Sequence, residues 1–125
     1  MQWTQHPQVV IIVCAPTGER HEFGLLCAAV LAASAGYPVV YLGPDLPIGD
    51  IAHAAVKAEA KVLLLSGTAN AVKYDEVRKL KTLADRIAVW VGGARSADLR
   101  AAIGPRARTL TSLEDLRRLL DRHVA

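Results

Sequence analysis

The chain has 125 residues and a formal net charge of +3, and 52% of its residues are hydrophobic while 22% are charged. This length fits one domain, and the apolar content excludes an intrinsically disordered protein. We therefore predict a single domain over residues 1–125, of which residues 1–7 form an N-terminal tail.

Apolar runs alternate with helical patterns along the chain. β-branched runs such as 9–13 are typical of strands buried on both faces of a parallel sheet, and apolar residues at helical spacing follow each of them. The predicted strands are 9–13, 38–42, 62–66, 87–91 and 106–109. The predicted helices are 22–35, 48–59, 73–86, a short segment from 96 to 104, and 113–123. Loops at 15–18 and 43–47 follow the first two strands.

Residues with capping preferences mark several helix ends. Gly36 is placed to end the first helix, and Asp50 or an earlier residue to begin the second. Ser96 is predicted as the N-cap of the short fourth helix, which ends near Gly104. Thr111 or Ser112 is predicted to cap the last helix.

Five strands that alternate with five helices predict an α/β three-layer sandwich with a parallel sheet, of the flavodoxin-like (Rossmann-like) type. The expected strand order is 2-1-3-4-5. In this topology a ligand binds beyond the carboxyl ends of the strands, near the switch point between strands 1 and 3. The loops after strands 1, 3 and 4 are therefore the candidate functional segments.

The loop after strand 1 carries a candidate metal ligand. It reads Thr17-Gly-Glu-Arg-His-Glu-Phe-Gly24, which places His21 at the predicted ligand-binding edge. A neutral imidazole binds a transition metal through one ring nitrogen when an acceptor fixes its other nitrogen, and Glu19 can supply that acceptor. The glycines permit close approach of the backbone to a ligand.

Three short motifs together resemble the signatures of the cobalamin-binding domain family. They are Glu19-x-His21-x-x-Gly24 after strand 1, Ser66-x-Thr68 after strand 3, and Gly92-Gly93 after strand 4. The family includes methionine synthase, cobalamin-dependent mutases, corrinoid methyl-transfer proteins and light-sensing regulators. The resemblance spans about residues 8 to 104.

The resemblance implies a role for each motif. His21 would replace the dimethylbenzimidazole base as the lower cobalt ligand, and Glu19 would hydrogen-bond to His21. The displaced nucleotide tail would enter between strands 1 and 3. The cofactor would be adenosylcobalamin, methylcobalamin or hydroxocobalamin. The implied cofactor-binding residues are Gly18, Glu19, Arg20, His21, Glu22, Phe23, Gly24, Leu25, Leu64, Ser66, Gly67, Thr68, Val91, Gly92 and Gly93.

The sequence departs from the commonest family pattern at two positions. Glu19 stands where Asp is usual, and Thr68 stands where Leu is usual. Both departures, and the stretch Tyr41-Leu-Gly-Pro-Asp-Leu-Pro47, are closer to the MerR-type photoreceptor and transcription-regulator branch. The resemblance therefore implies a cofactor-sensing or light-sensing module for a regulatory partner. Because the chain shows no domain that covers cobalt, a partner protein or a second copy is expected over the upper corrin face.

Other functions stay open at this point. The alternatives are a cobalamin carrier or corrinoid methyl-transfer subunit, and a cofactor-free α/β interaction domain. Taken singly, His21 also fits a helix cap, Ser66 a turn residue, and Gly92-Gly93 a tight turn. The sequence contains no GxSxG, GxxxxGK or GxGxxG motif, so we expect no catalytic residues of its own. A phosphoreceiver domain requires Asp where Ser66 stands, and a zinc hydrolase would need further histidines on suitable elements.

The remaining histidines, cysteines and tryptophans are expected to be structural or exposed. His53 and His123 fall on helices where surface positions are typical, and His6 lies in the tail. Cys14 and Cys27 are expected to be small core residues rather than a disulfide. Trp90 is predicted in the core or an interface, and Trp3 on the sheet edge.

Charge and hydropathy exclude two classes of partner. Arginines that accumulate after residue 94 alternate with acidic residues, so direct nucleic-acid binding is not expected. No apolar run approaches the roughly 20 residues of a membrane span, and residues 1–7 lack signal-peptide features. A cytoplasmic location is the expectation.

Overall fold

The structure is a computed structural model that describes residues 8–18, 22–67 and 73–124. In the described residues five strands alternate with five helices, as predicted. The strands are β1 (Ile11–Pro16), β2 (Val39–Leu46), β3 (Val62–Ser66), β4 (Ala88–Gly92) and β5 (Ala107–Leu110). The helices are α1 (Phe23–Ser34), α2 (Ile48–Lys57), α3 (Tyr74–Ala84), α4 (Ser96–Ile103) and α5 (Leu113–Val124).

The strands form one parallel sheet in the order β2-β1-β3-β4-β5, which confirms the predicted topology. Residues of β1 and β3 are buried almost completely because helices cover both faces. Ile12, Leu63 and Val89 belong to one core, against α2, α3 and α4. Val13, Leu64 and Trp90 belong to the other core, against α1 and α5. The molecule is thus a three-layer α/β sandwich.

The first two strands are longer and later than predicted. β1 runs to Pro16, into the loop predicted to begin at Ala15, and β2 continues to Leu46 through a stretch predicted to be a loop. Pairing begins at Ile11 opposite Val39 and ends at Pro16 opposite Leu46, with two register shifts between them. These β-bulges, in an edge strand, accommodate Pro44, which has no backbone donor for the ladder.

The first helix ends as the sequence predicts. Gly36 has φ of 93°, the left-handed region that glycine adopts most readily. Its amide donates to the carbonyl of Ala33 at 3.0 Å, and the amide of Tyr37 donates to that of Ala32 at 3.2 Å. This pair of bonds is a Schellman motif, which satisfies the last carbonyls of α1.

Of two predicted N-caps, the one at Ser96 is wrong, while α2 begins at a residue earlier than Asp50, as the prediction allowed. Helix α2 begins after Pro47, and the Ile48 amide donates instead to the Glu76 carboxylate of α3 at 2.9 Å, so Asp50 is a first-turn residue and not the cap. Arg95 occupies the N-cap position of α4, while Ser96 is its first helical residue and is buried. In both cases packing against other elements fixes the start of the helix.

The predicted structural residues are largely confirmed. Cys14 and Trp90 are buried in the two cores, Cys27 is half-buried, and both cysteines are free thiols. His53 is exposed on α2. None of the helices in the described part of the chain is long and apolar enough to cross a membrane.

Candidate functional site

The carboxyl ends of β1, β3 and β4 meet at one edge of the sheet. Ser66, the last residue of β3, pairs in register with Gly92, the last residue of β4. β1 lies on the other side of β3 and leads into the loop that carries Gly18. Because parallel strands end at a common edge, three segments that are distant in sequence become neighbours.

A cavity of about 240 Å³ opens at this edge on the face covered by α1 and α5. Six of the residues predicted from the sequence line it. They are Gly24, Leu25, Leu64, Ser66, Gly92 and Gly93. Residues from all three predicted loops or the elements beside them therefore border one space.

The other predicted site residues lie elsewhere. Val91 is not among the residues that line the cavity, and it belongs to the core formed with α2, α3 and α4. Glu22 and Phe23 are exposed at the start of α1, and Gly18 follows β1. Four predicted residues lie outside the described residues. These are Glu19, Arg20, His21 and Thr68.

Gly67 is buried and connects two of the loops. Its amide donates to the Gly92 carbonyl at 2.9 Å, and its carbonyl accepts from the Arg95 amide at 2.7 Å. A Cβ at Gly67 would lie 3.0 Å from the Cδ2 atom of Leu99, so a larger residue would displace that side chain. Gly67 thus links the end of β3 to the end of β4 and to the N-cap residue of α4.

Gly24 leaves space beside the cavity. It lies in the first turn of α1, where glycine costs helix stability relative to alanine. A Cβ built at Gly24 would meet no atom within 4 Å, so the free protein has no packing that requires glycine here. Gly24 therefore has room for at least a methyl group, and a larger side chain there would take up space at the cavity wall.

The loop between β5 and α5 forms the wall that the sequence analysis missed. The lining residues that were not predicted to bind the cofactor are Ala28, Leu65, Leu110, Thr111, Ser112, Leu113 and Leu116. Most of them are aliphatic, so the cavity is apolar apart from a few hydroxyls and backbone groups. The predicted topology could have indicated this wall, because α5 packs on the same face as α1 and β5 ends at the same edge.

Two hydrogen bonds hold the flanks of the His21 loop. The Gly18 amide donates to Oδ1 of Asp45 at 2.8 Å, and the Tyr41 hydroxyl donates to Oε2 of Glu22 at 2.7 Å. Burial and the adjacent Glu22 carboxylate raise the pKa of the Tyr41 phenol to about 12. At neutral pH Tyr41 therefore stays protonated and remains a donor.

The described residues contain no group of three or more histidine, cysteine, aspartate or glutamate side chains that could hold a metal ion. Burial raises the pKa of the Cys14 thiol far above its ordinary value, which keeps it protonated. Among the residues outside the described ranges, His21 is the one that the sequence analysis singles out as a metal ligand.

No family model and no curated protein sequence matches this chain. Three solved structures illustrate the proteins that share its fold. A cobalamin-binding protein from Desulfitobacterium hafniense DCB-2 aligns with a TM-score of 0.74 and 20% identity, over 94% of this chain and 60% of that one. The methanol:cobalamin methyltransferase complex MtaBC from Methanosarcina barkeri aligns with a TM-score of 0.72 and 17% identity, over 94% of this chain and 47% of that one.

The monomethylamine corrinoid protein of Methanosarcina barkeri aligns with a TM-score of 0.73 and 22% identity, over 98% of this chain and 60% of that one. This chain therefore spans about 60% or less of the length of each of the three. TM-scores of 0.72 to 0.74 establish a shared fold, although the identities are only 17 to 22%. The protein is thus a five-stranded α/β domain with the architecture of these corrinoid proteins.

Proposed function

We propose that the protein binds cobalamin at the carboxyl edge of its sheet and presents it to a separate protein. The observation that carries this proposal is the convergence of Gly24, Ser66, Gly92 and Gly93 on one apolar cavity. These residues come from three sequence motifs that resemble those of cobalamin-binding domains. The solved structures with the same fold, whose descriptions name cobalamin or corrinoid proteins, support the same ligand.

The cavity fits one part of such a cofactor. Its volume of about 240 Å³ lies below the roughly 300–1,000 Å³ typical of sites for a whole drug-sized ligand. A corrin ring would remain outside at the sheet edge, while the nucleotide tail would enter the cavity. The aliphatic side chains of Leu25, Leu64 and Leu116 suit an aromatic base.

His21 is proposed as the cobalt ligand and Glu19 as its hydrogen-bond partner. A bound cobalamin would supply the organometallic reactivity of the site. The protein would hold the imidazole in the tautomer that leaves one ring nitrogen free, because a carboxylate accepts the proton on the other nitrogen. The remaining proposed contacts are Gly18, Arg20, Glu22, Phe23, Gly67 and Thr68, which belong to the loops at this edge.

A carrier role is the better supported use of the cofactor. Two of the three solved structures are described as a methyltransferase complex and as a methylamine corrinoid protein. By analogy this chain would present methylcobalamin to a partner methyltransferase and would itself supply no catalytic residues. The proposal of a light-sensing or regulatory role rests on the resemblance of its motifs, above all the stretch Tyr41–Pro47, to the photoreceptor branch.

The cavity assignment is tested by comparing cobalamin with cobinamide, which keeps the corrin ring and cobalt but lacks the nucleotide tail. If the tail occupies the cavity, cobalamin will bind at least about tenfold more tightly, which corresponds to about 1.4 kcal/mol. Equal affinity for the two compounds would show that the tail does not bind in the cavity. Failure of both to bind would show that the proposed ligand is wrong.

The two uses of the cofactor are distinguished by their partners and by light. A carrier loaded with methylcobalamin will transfer the methyl group to the substrate of a partner methyltransferase when that enzyme is present. A light sensor loaded with adenosylcobalamin will change its hydrodynamic size or partner binding after illumination. An unchanged size and unchanged partner binding after illumination would remove the sensing role.

A further inference from the structure

The end of β2 has an irregular backbone beside the candidate site. Val13 pairs with Tyr41, but Cys14 pairs with Gly43 and Pro16 with Leu46. The extra residues of β2 form two bulges, and the second contains Asp45 with φ of 61°. Bulges change the direction of neighbouring side chains, and non-glycine residues with positive φ carry a conformational cost.

The second bulge places the Asp45 carboxylate next to the loop after β1. Its Oδ1 atom accepts a hydrogen bond from the Gly18 amide at 2.8 Å, across 27 positions of sequence. Aspartate tolerates the left-handed conformation better than most residues. The contact fixes the backbone just before the segment 19–21.

The residue just after that segment is held by the same strand. Oε2 of Glu22 accepts a hydrogen bond from the Tyr41 hydroxyl at 2.7 Å. Tyr41 is half-buried and packs against the core beneath α1, and this packing restricts the position of its ring. A charged acceptor makes this hydrogen bond stronger than a neutral one.

From these two contacts we propose that Tyr41 and Asp45 are positioning residues for the metal-ligating segment between Gly18 and Glu22. This inference rests on the proposed function, because it takes His21 as the cobalt ligand. The hydrogen bonds of Gly18 and Glu22 to β2 restrain the two residues that border this segment. Less conformational entropy is then lost when the imidazole binds cobalt.

The positioning role predicts different effects for substitutions that keep or remove the acceptor. Asp45→Gly removes the carboxylate and allows positive φ, whereas Asp45→Asn keeps an acceptor oxygen and also tolerates this φ. Tyr41→Phe removes the hydroxyl and keeps the ring. Tyr74→Phe is the matched control, since Tyr74 is 80% exposed on α3.

The first readout needs no cofactor. Amide hydrogen exchange measured by NMR on the free protein reports the Gly18 hydrogen bond directly. We expect Asp45→Gly to accelerate exchange at Gly18 about fivefold, as for loss of one net hydrogen bond, and Asp45→Asn to stay near the wild type. Unchanged exchange in Asp45→Gly would show that the contact does not hold this flank and would overturn the inference.

The second readout is cobalamin affinity together with the visible spectrum of the bound cofactor. Asp45→Gly and Tyr41→Phe are each expected to weaken binding about three- to tenfold and to lower the histidine-ligated fraction. Asp45→Asn and Tyr74→Phe should retain both properties. Weaker binding of Asp45→Gly without faster Gly18 exchange would indicate a direct contact with the ligand instead, and would also overturn the positioning role.

Failure of the two proposals can be told apart. If the wild type retains no cobalamin, the proposed function is wrong and the positioning of a cobalt ligand is wrong with it. If the wild type binds cobalamin through histidine and the variants match it in affinity and spectrum, only the positioning role is overturned.

Discussion

The hydroxyl oxygen of Ser112 accepts a hydrogen bond from the backbone amide of Asp115 at 3.1 Å, at the rim of the cavity. Asp115 in turn accepts hydrogen bonds from the amide of Thr111, at 2.9 Å, and from its hydroxyl. These reciprocal bonds cap α5 and resemble a capping box. The N-cap predicted at Thr111 or Ser112 is therefore confirmed at Ser112, and the cap also shapes the cavity wall.

The α5 cap predicts a loss of stability in acid. Hydrogen bonds from Thr111, with a smaller effect of Arg118, lower the pKa of the Asp115 carboxyl. Because the folded pKa is lower than the unfolded one, Asp115 stabilises the fold above the unfolded pKa of about 4, and this contribution is lost as the pH falls through the folded value. The urea midpoint of unfolding should therefore fall when the pH is lowered from 6 to 2.5. This fall should be larger for the wild type than for Asp115→Asn. Equal shifts for the two proteins would contradict this account of the cap.

Gly24→Leu should separate cofactor binding from stability. A Cβ at this position meets no atom within 4 Å, and the substitution removes a helical glycine, so the free energy of unfolding should stay equal or rise by up to about 1 kcal/mol. Cobalamin retention should fall at least about tenfold, because the side chain takes up space at the cavity wall. Gly49→Leu is the matched control, since Gly49 lies in the first turn of α2 on the opposite face. Loss of binding in the control, or normal binding in Gly24→Leu, would contradict the cavity assignment.

The two thiols should react at different rates. Cys14 is fully buried and its raised pKa keeps it protonated, whereas Cys27 is half-buried in α1. Ellman's reagent should therefore modify one thiol of the native protein and two in denaturant. Cys27→Ala should leave no thiol that reacts in the native state. Two thiols that react at the same rate without denaturant would show that the core around Cys14 opens easily.

Strand order could be predicted from the sequence because each buried run is followed by a helical pattern, and parallel βα units have few allowed arrangements. The extension of β2 could not be predicted, since Gly43 and Pro44 favour a loop and only pairing with β1 retains them in a strand. The hydrogen bond from the Ile48 amide to the Glu76 carboxylate connects α2 with α3. It depends on tertiary packing, so local sequence does not encode it.

The parts of the candidate site that carry a motif could be predicted from the sequence. The parts without a motif could not. Leu64 pairs with Trp90 and Leu65 with Val91, so alternation along β4 places Trp90, not Val91, on the face of the cavity. Val91 belongs to the other core, with α2, α3 and α4. The aliphatic residues Leu110, Leu113 and Leu116 have no distinguishing chemistry, and only the position of α5 beside α1 reveals them.

The most direct test of the central claim is the visible spectrum of the protein after it is mixed with hydroxocobalamin or adenosylcobalamin in the dark and desalted. The wild type should keep its colour with a histidine-ligated spectrum, and His21→Ala should lose that signature and retain at most about a tenth of the cofactor. A colourless wild type, or a His21→Ala variant with the spectrum of the wild type, would contradict the account.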